Sequence, residues 1–493
     1  MSGINKVGVI PSLLTRAFQL LLVGCFGLIL FNVVFNREVY AYFAPILILL
    51  ALFVICLVFW IYSKLGYKNI DKHYIKILLA MSGGLFLVQV LFAVLLRFDP
   101  IFDLEAVYKG AIHWVETGTF VDYDSSTCHT DYFYIFPNNL GCLYFMYLLF
   151  KGATLLGIRD YFMVAAVCNS LMICGTMLLS SGVARRLWSK REGLLCAALF
   201  LLSPPFWFLA PVIYTDSLTL IFPVAVWYCV LRADECKSRF GMIGLYLLSA
   251  VLIVIGGLIK PTVWIAFIAI GIVQLLRKQW LRQVILTVTA IVMLVVVNFA
   301  FDSIISQKYL DPVKSEEMNL PYEYWLSIGL SQDGDYRDDY FQISMQPEGQ
   351  QAKKDALRPL IQLDLKQQGV SGLFKLFTVK TTRAFGDGTY ASSDFLDDRP
   401  VSPNLLHKFL LYDSEHYSVY THIATGVLVA LLALAVLGCI KSTGDLRQLV
   451  APLCLFGLML FLMVWEVNAR YILNFVPMLF ISVTAGVKTF SKH

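Results

Sequence analysis

FAPILILLALFVICLVFWIY, residues Phe43 to Tyr62, carries no charged side chain. A helix rises 1.5 Å per residue, so about 20 apolar residues cross a hydrocarbon core about 30 Å thick. The stretch has that length and composition, and it predicts a membrane-spanning helix. Runs of the same kind recur outward in both directions, at 14–35, 75–96, 161–184, 193–212, 217–232, 242–258, 261–277, 282–300, 418–440, 447–465 and 470–487. Of the 493 residues, 58% are hydrophobic and 15% charged, and the mean hydropathy is +0.70. Soluble domains carry roughly 25% charged residues, so most of this surface must face lipid. The composition excludes a soluble domain and predicts an all-α polytopic membrane protein. The run from Leu14 to Phe35 is too long for a signal-peptide core and lacks a small-residue cleavage site, so it reads as a retained span.

A further apolar stretch, 138–156, is decided by the bias of Lys and Arg towards the cytoplasmic face. Basic clusters stand at Lys64/Lys68/Lys72/Lys76, Arg185/Arg186/Lys190/Arg191, Arg232/Lys237/Arg239, Arg277/Lys278/Arg282, Lys441/Arg447 and Lys488/Lys492. If 138–156 does not cross, all six fall on the cytoplasmic side; if it crosses, the three middle clusters move outside. The stretch is therefore read as interfacial or re-entrant. About twelve transmembrane helices follow, in the cell membrane, with both termini cytoplasmic. This divides the chain into an N-terminal module, 1–300, with an exoplasmic loop at 97–160, an exoplasmic segment, 301–417, and C-terminal helices, 418–493. Helical periodicity at Glu348–Gly369, a Gly/Asp turn at Phe385–Tyr390, and Trp325, Phe374 and Phe377 make the long segment an ordered one.

The net charge of +5 resides in these clusters between apolar runs and is not a nucleic-acid footprint. Eleven cysteines, nearly all in or beside apolar runs, show neither CxxC nor zinc spacing and read as small buried hydrophobes. No metal site is predicted, although clustered acids are able to hold a divalent cation.

Ionisable residues near a bilayer are costly and are the candidates for chemistry. RFDPIFDLEAVYKGAIHWVETG, Arg97 to Gly118, crowds Asp99, Asp103 and Glu105 where the chain leaves the third span. Apolar spacing from Asp103 onward predicts a short helix along the membrane surface, with Asp103 near its N-terminus, where the dipole favours a carboxylate. In YFYIFPNNLGCLYF, Tyr132 to Phe145, Asn138 and Asn139 either hydrogen-bond a sugar or cap the following helix. Tyr214-Thr215-Asp216 forms an outer turn between spans, where Asp216 either caps the next helix or serves the same site as Asp103. Lys260, followed by Pro261, either snorkels or meets a lipid phosphate. Glu466 and Arg470, four apart, form an intrahelical pair, or Arg470 clamps a phosphate.

In that order, an acidic outer loop, an aromatic-Pro-Asn stretch, a YTDS turn, a Lys-Pro at a span end and a large outer segment resemble the GT-C superfamily of lipid-linked-sugar glycosyltransferases. Closest in kind is the bacterial group of protein O-mannosyltransferases and aminoarabinose transferases of lipid A. PYEYWLSIGLSQDGDYRDDYF, Pro321 to Phe341, looks like the outer-segment signature of such proteins. The resemblance implies a GT-C-like helical bundle with exoplasmic loops, and transfer of a sugar from a polyprenyl phosphate to a cell-envelope acceptor. It implies a carboxylate base at Asp103, with Asp99 second and Glu105 third. Leu104 interrupts the family's Asp-Glu pair, and two extra spans precede the acidic loop.

The chemistry agrees with the residues. A carboxylate near the interface deprotonates a hydroxyl acceptor, and Lys260 and Arg470 stabilise the leaving phosphate. Asn138, Asn139, Tyr214 and Asp216 complete the expected substrate contacts. A transporter or flippase for a lipid-linked saccharide is the rival reading, and it calls for polar residues near the midplane and matched halves. A polymer-assembly scaffold is the third.

Overall fold

The computed structural model describes residues 9–66, 70–396, 399–440 and 445–491. Lys68, Lys441 and Lys492 of the basic clusters lie outside the described residues. Within them every regular element is a helix, and the one β contact is an isolated bridge between Phe98 and Pro400.

Among the described residues, ten helices are long and apolar enough to cross a membrane: Leu13–Phe35, Ala44–Lys64, Ile70–Leu95, Tyr161–Leu187, Thr215–Glu235, Arg239–Ile259, Trp280–Tyr309, Tyr417–Ile440, Leu446–Val464 and Ala469–Phe490. The other two expected spans are shorter. Pro261–Leu276 is an apolar helix opened by a Pro261–Val263 turn of 3-10 geometry. The expected run at 193–212 is broken after Leu202, because Ser203 and Pro204 end the helix Lys190–Leu202 and only the short turn Pro205–Phe208 follows. The irregular chain beyond is buried, and its carbonyls need partners that lipid does not supply. Asn169 donates to the carbonyls of Leu209, Ala210 and Val212, and Gln89 donates to that of Phe206 at 2.6 Å.

The stretch at 138–156 becomes Leu140–Leu155, 16 residues and about 24 Å long, the same length as Pro261–Leu276. It packs under Phe102–Thr117, and Gly141 lies against the carbonyl of Leu258 with no room for a Cβ. The periodic stretch Glu348–Gly369 is the first half of Gln350–Gly386, whose course breaks at Gly369 (φ 57°). The Phe385–Tyr390 turn is buried, with Asp387 accepting from Thr389 and Ala391.

Two ends of the bundle differ in chemistry. At one, Arg277 and Arg282 clamp Asp234, Arg186 meets Glu235, Arg191 reaches the Tyr62 carbonyl and Lys190 that of Asp71. At the other, the loop after Leu95 meets the long polar segment: Phe98 bridges Pro400, Lys314 pairs with Asp131, and Leu320 donates to the Ile135 carbonyl. The polar segment has its own small core, formed by Leu320, Tyr324, Ile328, Tyr340, Phe341 and Leu357 around Ile135.

Candidate functional site

Asp103 is the second residue of Phe102–Thr117, near the N-terminus as the apolar spacing predicts. Its neighbours Asp99 and Glu105 point elsewhere. Asp99 pairs with Lys109 at 2.8 Å and Arg399 at 3.7 Å. Glu105, two residues on and so on the opposite helix face, is buried among Ser126, Thr127, Tyr123 and Lys109. Burial pushes the Glu105 carboxyl up, but hydrogen bonds from Thr127 and Ser126 and the charge of Lys109 outweigh it and bring it down to about 2. Asp103 alone of the three is both solvent-accessible, at 42%, and turned towards the bundle's cations.

Tyr132 donates to one Asp103 oxygen at 2.8 Å and receives a hydrogen bond from the Asn139 amide at 2.5 Å. The Tyr214 hydroxyl lies 3.4 Å from both the other Asp103 oxygen and the Asn139 carbonyl oxygen, so one proton is shared between them. Asn139 stands at the N-cap of Leu140–Leu155 but makes no side-chain cap bond; its side chain is spent on the two tyrosines. Asn138, beside it, is exposed.

Arg470 stands 4.0 Å from both Asp103 and Asp216 and lies over the rings of Tyr214, Phe395 and Tyr471. The expected intrahelical pair with Glu466 does not form, because Trp465–Asn468 is extended chain between two helices. Glu466 instead accepts from the Tyr471 hydroxyl at 3.0 Å, and burial holds its carboxyl above the usual range. Lys260 is extended between Ile259 and Pro261, and its side chain is largely buried, at 12% exposure, rather than snorkelling. Its ammonium pairs with Asp216 and lies over the Tyr471 ring at 4.7 Å. Asp216 does not cap its helix; Tyr214 holds that position.

Asp103, Asn139, Tyr214, Asp216, Lys260 and Arg470 thus form one chain of contacts drawn from five parts of the sequence. Two atoms in it lack a hydrogen bond although buried: Arg470 Nε and Asp216 Oδ2. These two atoms face each other at 4.0 Å, an ion pair too long for a hydrogen bond. Among the described residues, no three His, Cys, Asp or Glu side chains converge to hold a metal ion. Sequence reading missed Tyr132, Tyr471 and the two amides that hold the 203–214 backbone. Gln89 and Asn169 carry the one available signal, an amide inside an apolar span.

Fold and site define a polytopic helical membrane protein with a buried charged cluster at one end. The chain belongs to a family described as conserved hypothetical integral membrane protein, whose model matches residues 27–490. No curated protein matches it in sequence. Among solved structures it is similar to ArnT from Cupriavidus metallidurans bound to undecaprenyl phosphate, with 11% identity, 86% of this chain and 78% of that one covered, and a TM-score of 0.37. It is also similar to the Archaeoglobus fulgidus oligosaccharyltransferase in the apo form, with 13% identity, 86% and 52% covered, and a TM-score of 0.46. The archaeal oligosaccharyltransferase AglB from the same organism, in complex with an inhibitory peptide and a dolichol-phosphate, matches with 12% identity, 83% and 50% covered, and a TM-score of 0.39. This chain spans about half the length of both oligosaccharyltransferases.

Proposed function

We propose that the protein is a membrane glycosyltransferase that moves a sugar from a polyprenyl-phosphate donor to a hydroxyl acceptor arriving from water at the Asp103 end. The observation that carries this reading is the convergence of one solvent-accessible carboxylate, Asp103, with two largely buried cations, Lys260 and Arg470. The acceptor oxygen attacks the anomeric carbon as the bond to the phosphate oxygen breaks. Asp103 takes the acceptor's proton. The departing polyprenyl phosphate gains negative charge, which Lys260 and Arg470 stabilise from fixed positions in a site of low dielectric. Tyr132 and Tyr214 hold the Asp103 carboxylate in place, and Asn139 orients both phenols. A lipid donor explains why such a cluster belongs at the end of a bundle whose outer helices are apolar on their exposed faces. The acceptor is a component of the cell envelope in this reading.

The test separates phosphate binding from charge pairing. Lys260→Met alone strands Asp216 as a buried, half-compensated charge, and a fold defect then mimics lost binding. The Lys260→Met/Asp216→Asn double variant removes both charges together. It is expected to fold and to bind a polyprenyl phosphate in nanodiscs about tenfold or more weakly than wild type, with transfer reduced in parallel. Wild-type affinity and turnover in the double variant would refute the phosphate role. An unchanged envelope glycan composition in cells lacking the protein would refute the activity itself.

A further inference from the structure

Lys380 is fully buried, yet no carboxylate pairs with it among the described residues. Its ammonium donates to three backbone carbonyls instead: Gly329, Met463 at 3.0 Å and Trp465 at 2.7 Å. These belong to two separate pieces of chain. Gly329 closes the helix Tyr322–Gly329 of the polar segment, and Met463 and Trp465 lead into the turn that bears Glu466 and Arg470.

The same two pieces are stitched at further points. Val467 donates its N–H to the Gly334 carbonyl at 2.8 Å. Gly334 (φ 73°) rides on the Lys380 stem, where a Cβ would come within 2.6 Å of Cε. One turn along the helix, Arg383 pairs with Asp335 at 3.0 Å and Asp333 at 3.5 Å. Trp325 and Trp465 stack across the junction, 5.5 Å apart and 6° from parallel.

We propose that Lys380 is a positioning residue of the Arg470 site: it gathers the carbonyls of Gly329, Met463 and Trp465 and thereby fixes the turn carrying Glu466 and Arg470 beneath the loop Gly329–Arg337. The proposal rests on the donor-site reading for its effect on catalysis, and on contacts alone for the latch. Three carbonyl acceptors match the three N–H donors of an ammonium; a neutral amine has two. Burial brings Lys380 down to about 7; Glu466 opposes that shift, Arg383 adds to it and Asp333 opposes it. Asp335 faces the same junction through Arg383. The latch is therefore tight below neutrality and loses a hydrogen bond as the pH rises through it.

The Trp325–Trp465 stack supplies a readout independent of substrate. Its exciton signal in circular dichroism is isolated by subtracting the spectrum of Trp325→Phe. In wild type the signal is expected to weaken as pH rises through neutrality. Lys380→Met, which keeps the apolar stem, is expected to lose most of it at every pH. The same variant is expected to bind a polyprenyl phosphate about tenfold more weakly, since small misplacements of a binding group are costly. If the Met variant does not fold, Gly334→Ala, which crowds the Lys380 stem, is expected to give the same loss of signal. An undiminished stack in whichever variant folds, or a pH dependence that survives Lys380→Met, would overturn the latch. A pH-dependent stack in a wild-type protein that binds no polyprenyl phosphate would keep the latch and overturn the donor reading.

Discussion

Three acids within seven residues, Asp99, Asp103 and Glu105, end in three different environments, and that divides their roles. Glu105 is a structural carboxylate, held ionised by hydroxyl and backbone donors in a buried niche. Its carboxyl, at about 2 when folded, lies below the ordinary value of about 4.3. The stability it contributes is present above the ordinary value and is lost as pH falls towards 2. Glu105→Gln is expected to cost about 1–3 kcal/mol and to weaken the acid dependence of unfolding, with little loss of turnover per folded molecule. Asp103→Asn is expected to do the reverse, leaving thermal unfolding close to wild type and lowering transfer about 100-fold. Unfolding curves and single-turnover transfer on both variants decide between them, and near-normal turnover by Asp103→Asn would sink the base assignment. The sequence reading ranked Asp103 first because it matches the outer-loop carboxylate of the glycosyltransferases that the chain resembles. It had no means of seeing that two tyrosines distant in sequence would hold that carboxylate, since pairing across 29 and 111 residues is set by packing alone.

The site is made by element ends rather than element interiors, and apolar periodicity is silent at ends. Pro261 halts Arg239–Ile259 and leaves Lys260 extended, while the prolines at 204, 205 and 211 leave room for Tyr214 and Asp216. Hydropathy merged the run 193–212 into one span because proline and serine cost little on such scales, although they end the helix at Leu202. The short helix Leu140–Leu155 has a positioning role of its own. Gly141 sits against the Leu258 carbonyl, two residues before Lys260. An added methyl must displace that backbone, because a carbonyl in a packed helix end has no rotamer to yield. Gly141→Ala is therefore expected to destabilise the protein by about 1–3 kcal/mol and to weaken polyprenyl-phosphate binding through Lys260. Gly152→Ala, on the same helix with open space around it, is expected to do neither. Equal effects of the two changes on binding would show that the helix does not set the position of Lys260.

For the whole molecule the governing question is which end faces the cytoplasm. Basic side chains from separate loops gather at one end of the bundle: Arg186 with Glu235, Arg277 and Arg282 with Asp234, and Lys190 and Arg191 with the chain around Tyr62 and Asp71. Short loops rich in Lys and Arg remain cytoplasmic, and on that rule we propose that the opposite end, with Asp103, Lys260, Arg470 and the polar segment, faces outward. This gathering was legible in the sequence only once 138–156 was excluded as a crossing, and the structure makes that segment a 16-residue helix packed beneath Phe102–Thr117. The orientation is tested by single thiols in a background with Cys56, Cys128 and Cys236 replaced by serine. Glu348 is exposed in the polar segment and Lys237 is exposed in a basic loop. A membrane-impermeant maleimide applied to intact cells is expected to label Glu348→Cys and to label Lys237→Cys only after the membrane is opened. The reverse pattern would place Asp103 in the cytoplasm, where the acceptor would have to be a cytoplasmic molecule, and transfer to the cell envelope would fall. Labelling of both sites in intact cells would place Lys237 and Glu348 on one side, with an even number of crossings between them, and would overturn this orientation.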